Sequence, residues 1–269
     1  MSIFDIFKKK IKEESNMSSD VAPRKKRNLR NQKQTKWRKR EAKKKHKSTD
    51  IFSRKGKRRV HNLLILDESG SMSSIYQPAL TGVNETLQTI RAAHQEHSEQ
   101  EHFVTLIAFN SSHYKHIYKN TPANKTKDIS KEHYRPSAGT PLFDAMGRSI
   151  TELRGYADKN DVVLVTIITD GYENASYEYD CQSIKALVES MKSRGWVFTY
   201  IGANQDVEAV ATSISINNHL CFEATQTGAR DMFDKEIRCR NKFFSKISRN
   251  ESMFNIGEDY FDECDEDSM

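Results

Sequence analysis

Short apolar runs alternate with longer amphipathic segments from about residue 60 onward. The runs Leu63–Leu66, Phe103–Phe109 and Val162–Ile168 are continuous and apolar, as is typical of strands buried on both faces of a parallel sheet. Between the first two runs, apolar residues from Tyr76 to Ile90 recur at spacings of three and four, which predicts an amphipathic helix. The pattern therefore indicates strands and helices in alternation.

The remaining segments continue this alternation. A strand at His113–Tyr118 follows the previous one after a short Asn-Ser-Ser turn, which leaves no room for a helical crossover, so this strand should pair antiparallel at an edge. The order of elements predicts an α/β fold in three layers: a doubly wound, mostly parallel six-stranded sheet with one antiparallel edge strand and helices on both faces. The further predicted strands are 196–201 and 219–223, and the predicted helices are 76–94, 140–153, 181–193, 206–213 and 228–245.

Charge divides the chain into three segments. Residues 1–60 carry 23 Lys and Arg against 6 Asp and Glu, whereas residues 258–269 carry 7 acidic side chains and no basic one. The overall net charge of +6 is therefore a cancellation between the two ends. We predict a basic arm over 1–58 that is disordered in isolation, one domain over 59–247, and an acidic C-terminal tail over 248–269.

The lack of a recognisable secretory signal or membrane span, together with the cysteine usage, favours a cytoplasmic location. The N-terminal residues lack the apolar core of a secretory signal, and no run approaches the about 18–20 apolar residues that a membrane span needs. The four cysteines are scattered and form no CxxC pair, so they indicate neither a disulfide framework nor a zinc site. We expect a cytoplasmic protein whose cysteines serve packing in a reducing compartment.

Polar motifs follow the predicted strands at their carboxyl ends, where ligands gather in open α/β sheets. The first strand runs into Asp67–Ser71 (DESGS), a D-x-S-x-S loop. The loop before the second long helix is Ser137–Pro141 (SAGTP), and the strand 162–168 runs into Thr169–Gly171 (TDG). In order and context these motifs resemble the von Willebrand factor A family, whose metal-ion-dependent adhesion site combines D-x-S-x-S, a lone Thr and a lone Asp.

The segment 202–206 (GANQD) ends the next parallel strand, and similar strand ends occur in bacterial cytoplasmic members of the family. The resemblance covers about residues 59–247. It implies a Mg²⁺ site, in which Mn²⁺ should substitute, with hydroxyl ligands from Ser69 and Ser71 and a third from Thr140, direct or through water. Asp67 and Asp170 would act largely through bound water. With few carboxylates in direct contact, the ion would stay electron-poor and accept the carboxylate of an Asp or Glu from a protein partner.

Side chains beside these loops are predicted to form a rim that selects the partner. Each follows a strand that ends at the motif edge or precedes the threonine loop. Roles in solvated loops or as helix caps explain the same residues equally well. The predicted rim residues are Ser73, Tyr76, Asn110, Arg135, Tyr172, Glu173 and Asn204.

The main catalytic alternative is a phosphotransferase of the haloacid dehalogenase type, which also has an Asp at a strand end. Such enzymes use a second Asp two residues later as acid and base, and this chain has Ser69 there. No P-loop or GxGxxG motif occurs, and no pattern indicates an activated nucleophile. We therefore predict a metal-dependent protein-binding module, an intracellular adaptor or assembly component, and not an enzyme.

The basic arm supports an alternative function, a nucleic-acid- or polyanion-associated protein in which the A-type domain is a scaffold. Its charge clusters can bind phosphate with strong salt dependence and little sequence reading through residues 24–59, although only Trp37 offers a stacking group. An anionic membrane surface, an acidic protein or a solubilising role also fit such a tail. The predicted polyanion-binding residues are Arg24, Lys25, Lys26, Arg27, Arg38, Lys39, Arg40, Lys43, Lys44 and Lys45.

Overall fold

The computed structural model describes residues 56–203, 206–249, 251 and 256–262. Strands and α-helices alternate through these residues, which confirms the predicted α/β fold. The strands are β1 (Arg58–Asp67), β2 (Gln100–Asn110), β3 (His113–Pro122), β4 (Val162–Thr169), β5 (Val197–Gly202) and β6 (Asn218–Cys221). The helices are α1 (Tyr76–Glu96), α2 (Leu142–Arg154), α3 (Cys181–Lys192), α4 (Val207–Ser213) and α5 (Gln226–Ser248), with short 3-10 helices at Gly70–Ile75 and Ala123–Lys125.

The strands form one sheet in the order β3-β2-β1-β4-β5-β6. Among the described strands, β2 and β3 are the antiparallel pair and all other neighbours are parallel, as predicted for an edge strand reached by a short turn. The chain leaves β1 toward β2 on one side and returns to pair β4 on the other. The strand order therefore reverses between β1 and β4, where ligands of open α/β sheets bind.

Both faces of the sheet are covered, which explains the continuous apolar runs. Leu64 and Leu66 of β1 face a cluster that includes α1 and α5. Leu63 and Ile65, which alternate with them, face a second cluster built with α2, α3 and α4. Because successive side chains of a strand point to opposite faces, a central strand between two helical layers must be apolar at every position.

The start of β1 is polar and extends beyond the apolar run. His61 is buried, and its Nε2 lies 3.0 Å from Oδ2 of Asp161, which also accepts hydrogen bonds from the Arg59 guanidinium. Burial alone would raise the pKa of Asp161, but the hydrogen bonds from His61 and Arg59 outweigh it and lower that pKa to about 2. This ionic pairing lets polar residues occupy a central strand.

A buried ion pair fixes α5 against the sheet. Arg240 is fully buried and donates to Oε1 of Glu236 through Nε (2.9 Å) and Nη2 (2.6 Å). Its Nη1 donates to Oδ1 of Asn62 in β1 (3.0 Å), and its Nη2 donates to Oγ1 of Thr166 in β4 (2.8 Å). One side chain therefore links α5 to the two central strands.

The end of α5 returns to the start of β1, where Nη1 of Arg58 donates to the Ile247 carbonyl oxygen (3.4 Å). Residues 256–262 also pack on the domain, because Ile256, Tyr260 and Phe261 are buried in the cluster that contains α1 and α5. Part of the segment predicted as an acidic tail therefore contributes to the folded domain.

No described helix combines the length and apolar character needed to cross a membrane. Cys181 and Cys221 are free thiols. Cys239 in α5 is buried and disulfide-bonded. The expectation that the cysteines serve packing without disulfides is therefore wrong for Cys239, because scattered spacing along a chain does not reveal which cysteines meet in space.

Candidate metal centre

Asp67 is the last residue of β1 and lies buried at the carboxyl edge of the sheet. Its Oδ1 accepts a hydrogen bond from the backbone N–H of Ser69 (2.7 Å), and its Oδ2 accepts one from Oγ1 of Thr169 at the end of β4 (2.6 Å). Its backbone oxygen accepts a hydrogen bond from the hydroxyl of Tyr134 (2.9 Å). The carboxylate of Asp67 therefore has a fixed orientation between the two central strands.

The serine hydroxyls connect this carboxylate loop to the second aspartate. Oγ of Ser69 lies 3.1 Å from Oγ of Ser71, which donates to Oδ1 of Asp170 (2.6 Å). Ser69 and Asp170 are buried, whereas Ser71 is exposed. Four of the five predicted metal residues are thus joined at one place, with Ser71 at the surface.

The fifth residue, Thr140, reaches the same place beside Gly171. A Cβ atom at Gly171 would lie 3.2 Å from Oγ of Ser71 and 3.4 Å from Oγ1 of Thr140. Both hydroxyls therefore border one small space that holds no side chain. The structure brings together all five residues predicted from the motifs.

Hydrogen bonds to Asn174 and to Gly70 hold the loop that carries Thr140. The N–H of Thr140 donates to Oδ1 of Asn174 (2.8 Å), and the N–H of Asn174 donates back to the Thr140 carbonyl (3.1 Å). The N–H of Gly70 donates to the carbonyl of Ala138 (3.0 Å), which has a left-handed φ of 62°. An alanine rarely adopts this conformation, so the surrounding contacts must stabilise it.

The electrostatics of the centre suit a cation. Burial, together with the negative charge of Asp170, raises the pKa of Asp67 to about 6, against the hydrogen bonds from Thr169 and Ser69. Burial also raises the pKa of Asp170. A positive ion between these groups would stabilise the charged form of both carboxylates.

The donor set contains only oxygen atoms, from three hydroxyls and two carboxylates. Among the described residues, no group of three or more His, Cys, Asp or Glu side chains is arranged as a metal site. A centre here therefore depends on serine and threonine hydroxyls to complete the ligands. Oxygen-only sets suit Mg²⁺ and Mn²⁺, whereas structural zinc sites use sulfur and nitrogen.

Several predicted rim residues are accessible beside the centre. Ser73 and Arg135 are exposed, and Tyr172 is 56% exposed. Tyr76 is partly buried and stacks on Tyr134 with ring centroids 5.9 Å apart. Ser73, Arg135 and Tyr172 thus carry an accessible hydroxyl, guanidinium and aromatic ring, with Nε of Arg135 donating to the Lys131 carbonyl (3.1 Å).

Two other predicted rim residues are turned inward. Asn110 is buried, and its Nδ2 donates to the carbonyl of Glu68 (3.2 Å) while its Oδ1 accepts from the N–H of Ser112 (2.8 Å). Glu173 accepts a hydrogen bond from the N–H of Phe143 in the first turn of α2 (2.9 Å), where a carboxylate also favours the helix dipole. Both side chains organise local backbone. Asn204 and all predicted polyanion-binding residues of the arm lie outside the described residues.

The sequence motifs missed the groups that orient these five residues. Thr169, Tyr134 and Asn174 each bond directly to Asp67 or Thr140. The position of Thr169 next to Asp170 at a strand end was the one available signal. Tyr134 lies in a polar loop 67 residues from its partner, and nothing in the local pattern indicates that contact.

The chain belongs to the von Willebrand factor type A domain family, whose model matches residues 63–235. No curated protein matches the chain.

Among solved structures, the minor pilin PilB from Streptococcus sanguinis is similar at 12% identity with a TM-score of 0.51, over 75% of this chain and 64% of PilB. The pilus adhesin SpaC from Lactobacillus rhamnosus GG, in its open conformation, is similar at 16% identity with a TM-score of 0.50, over 71% of this chain and 31% of SpaC. The chain thus covers less than two thirds of either protein. At these identities the likeness shows the shared fold alone.

Proposed function

We propose that this domain is a metal-dependent protein-binding module, which uses Mg²⁺ or Mn²⁺ to capture an acidic residue of a partner in an adaptor or assembly role without catalysis. One observation carries the proposal: three hydroxyls and two buried carboxylates converge beside Gly171, where the strand order reverses. Domains of this family are generally protein-binding modules.

The five residues would have two different roles in binding the ion. Ser69, Ser71 and Thr140 would provide hydroxyl oxygens, and Asp67 and Asp170 would orient the surrounding shell and balance its charge. When bound, the cation supplies a coordination position for a carboxylate oxygen of the partner. Ser71 is exposed, which supports a coordination position that a partner could reach.

The charges around the centre favour an acidic partner. Arg135 is exposed and presents a positive charge, whereas the nearby acidic side chains are engaged within the protein. Glu68 is fully buried and contacts His113, and Glu173 accepts hydrogen bonds from the backbone. An approaching carboxylate therefore meets little repulsion from the rim.

The proposal is tested by capturing peptides from a random pool on the immobilised full chain, in Mn²⁺ and in EDTA. We expect Mn²⁺ to enrich peptides that contain Asp or Glu, and EDTA to release them. Ser71→Ala should lose this enrichment. Ser74→Ala is the matched control, because Ser74 is exposed in the same 3-10 helix and, among the described residues, its hydroxyl donates to the Ser71 carbonyl alone (3.2 Å). Equal capture in EDTA would contradict the proposal.

A basic depression at the opposite end of the strands favours polyanion binding as a second function. Lys57, Arg59, Lys159 and Arg194 line an open depression of about 570 Å³, together with two acidic residues, Asp158 and Asp161. Arg59 pairs with Asp161, whereas the other three form no ion pair among the described residues. The basic arm immediately precedes β1 in the sequence.

Salt dependence tests this second function with a 20-base-pair DNA duplex as the probe. Replacing Lys57, Lys159 and Arg194 together by alanine should reduce the slope of log K against log salt by about 2–3, since each lost phosphate contact removes about 0.9. A triple alanine variant of exposed lysines elsewhere is the matched control and should keep the slope. An unchanged slope in the first variant excludes the depression from binding. The control lysines are Lys125, Lys127 and Lys131.

A further inference from the structure

Glu68 lies between two of the residues at the candidate metal centre, Asp67 and Ser69, and is fully buried. We propose that Glu68 is a positioning residue, which sets the geometry of the metal-binding loops through contacts to β2, β3 and the loop before Thr140. The inference rests on the proposed function, because it concerns the same metal centre.

The carboxylate of Glu68 is engaged by three donors on one side. Nε2 of His113 lies 2.6 Å from its Oε2, and Nζ of Lys115 lies 3.3 Å from the same oxygen. The backbone N–H of Arg135 donates to Oε1. Both side-chain partners come from the start of β3, so the carboxylate joins the β1 loop to the edge strand.

The backbone of Glu68 makes equally specific contacts. Its N–H donates to the carbonyl of Phe109 at the end of β2 (2.8 Å). Its carbonyl accepts hydrogen bonds from the N–H of Ser137 (2.9 Å) and from Nδ2 of Asn110 (3.2 Å). Glu68 therefore binds every segment that surrounds the D-x-S-x-S loop on this side, including the loop that leads to Thr140.

These contacts explain why a buried carboxylate is tolerated and what it does. Burying an ionised carboxylate is costly unless charged and hydrogen-bonding partners replace water, and here His113, Lys115 and Arg135 do so. Because Glu68 is covalently joined to Asp67 and Ser69, a rotation of its peptide would move both. Mg²⁺ demands near-ideal octahedral geometry, so small movements of these groups weaken its binding.

The carboxylate of Glu68 supports the centre and is not one of its ligands. Its oxygens are directed to donors from β3 and Arg135, whereas the hydroxyls of Ser69 and Ser71 are directed to each other and to Asp170. A residue with a merely structural role would change the stability of the fold and leave the metal affinity of the folded protein unchanged. Metal affinity therefore distinguishes the two roles.

The test measures Mn²⁺ affinity by calorimetry on the full chain with Glu68→Gln, below its unfolding temperature. We expect binding to weaken about tenfold or more, the usual effect of losing a group that orients metal ligands. Asp161→Asn is the matched control, since Asp161 is also a buried carboxylate held by a His and an Arg, at the opposite end of the strands. It should lose stability and keep its Mn²⁺ affinity.

A second variant covers the case in which Glu68→Gln does not fold. His113→Ala combined with Lys115→Ala removes two donors from partly exposed positions, and should weaken Mn²⁺ binding while the fold is retained. Wild-type affinity in a folded Glu68→Gln or double variant overturns the positioning role and leaves the proposed function standing. If the wild-type chain itself binds no Mn²⁺, both proposals fall.

Discussion

Replacing Gly171 by alanine tests whether the space between the hydroxyls is what the metal centre requires. The added Cβ would lie 3.2 Å from Oγ of Ser71 and 3.4 Å from Oγ1 of Thr140. The backbone of Gly171 is not in the left-handed region, so alanine fits the backbone without strain. The substitution therefore acts on the two hydroxyls and little else.

The contact distances set the size of the expected effect. A contact of 3.2 Å is tighter than most that a Cβ atom makes, so the Ser71 hydroxyl must move by a few tenths of an ångström. Mg²⁺ binds at about 2.0–2.1 Å with little tolerance, whereas Ca²⁺ accepts irregular geometry at about 2.3–2.6 Å. We predict that Mg²⁺ binding weakens about tenfold and that the ratio of Mg²⁺ to Ca²⁺ affinity falls. The free energy of unfolding should change by less than about 1 kcal/mol.

Calorimetric titrations with each ion, on the Gly171→Ala and wild-type chains, provide the measurement. Gly70→Ala is the matched control, because Gly70 lies between the two serines and its added Cβ would meet the Ala138 carbonyl at an ordinary 3.5 Å. Unchanged Mg²⁺ affinity in Gly171→Ala, or an equal loss in both variants, would refute the argument that these hydroxyls share one confined ion site.

Three further predictions concern stability. Burial, with repulsion from nearby cationic groups, lowers the pKa of His102 to about 3, so the folded state holds His102 neutral. The stability that neutral His102 contributes is present above its usual pKa of about 6.5 and is lost as the pH falls toward 3. Urea unfolding should therefore give a free energy of unfolding about 2 kcal/mol lower at pH 5 than at pH 7, and this difference should shrink in His102→Gln. In denaturant titrations, Arg240→Met should lower the free energy of unfolding by about 3–5 kcal/mol, because Glu236 stays buried without its cation. Adding Glu236→Gln to this variant should recover part of the loss. A loss below about 1 kcal/mol for Arg240→Met would be inconsistent with the buried pair. Gly82→Ala should lower the melting temperature although alanine favours helix, because its Cβ would lie 2.0 Å from the Phe233 ring in α5; a higher melting temperature would contradict that packing.

The fold was predictable because its signal is local and repeated. Continuous apolar runs identify strands covered on both faces, and the short Asn-Ser-Ser segment before His113 identifies the antiparallel edge. The polar beginning of β1 was not predictable. His61 and Arg59 are accepted there only because Asp161, 100 and 102 residues away, pairs with both.

The candidate centre was likewise predictable only in part. Its five donor residues lie in short motifs at strand ends, so they could be found from the sequence. Their supports could not, since Tyr134 and His113 reach the β1 loop from distant parts of the chain. Rim residues were harder still, because polar side chains at strand ends can turn inward to satisfy the backbone, as Asn110 and Glu173 do.

The most direct test of the central claim is a calorimetric titration of the full chain, stripped with chelator, with MgCl₂ and with MnCl₂. We predict saturable uptake of one cation per chain, weakened when Ser71 is replaced by alanine and unaffected when Ser74 is. No uptake of either ion by the folded wild-type chain would contradict the claim that these hydroxyls and carboxylates form a metal centre.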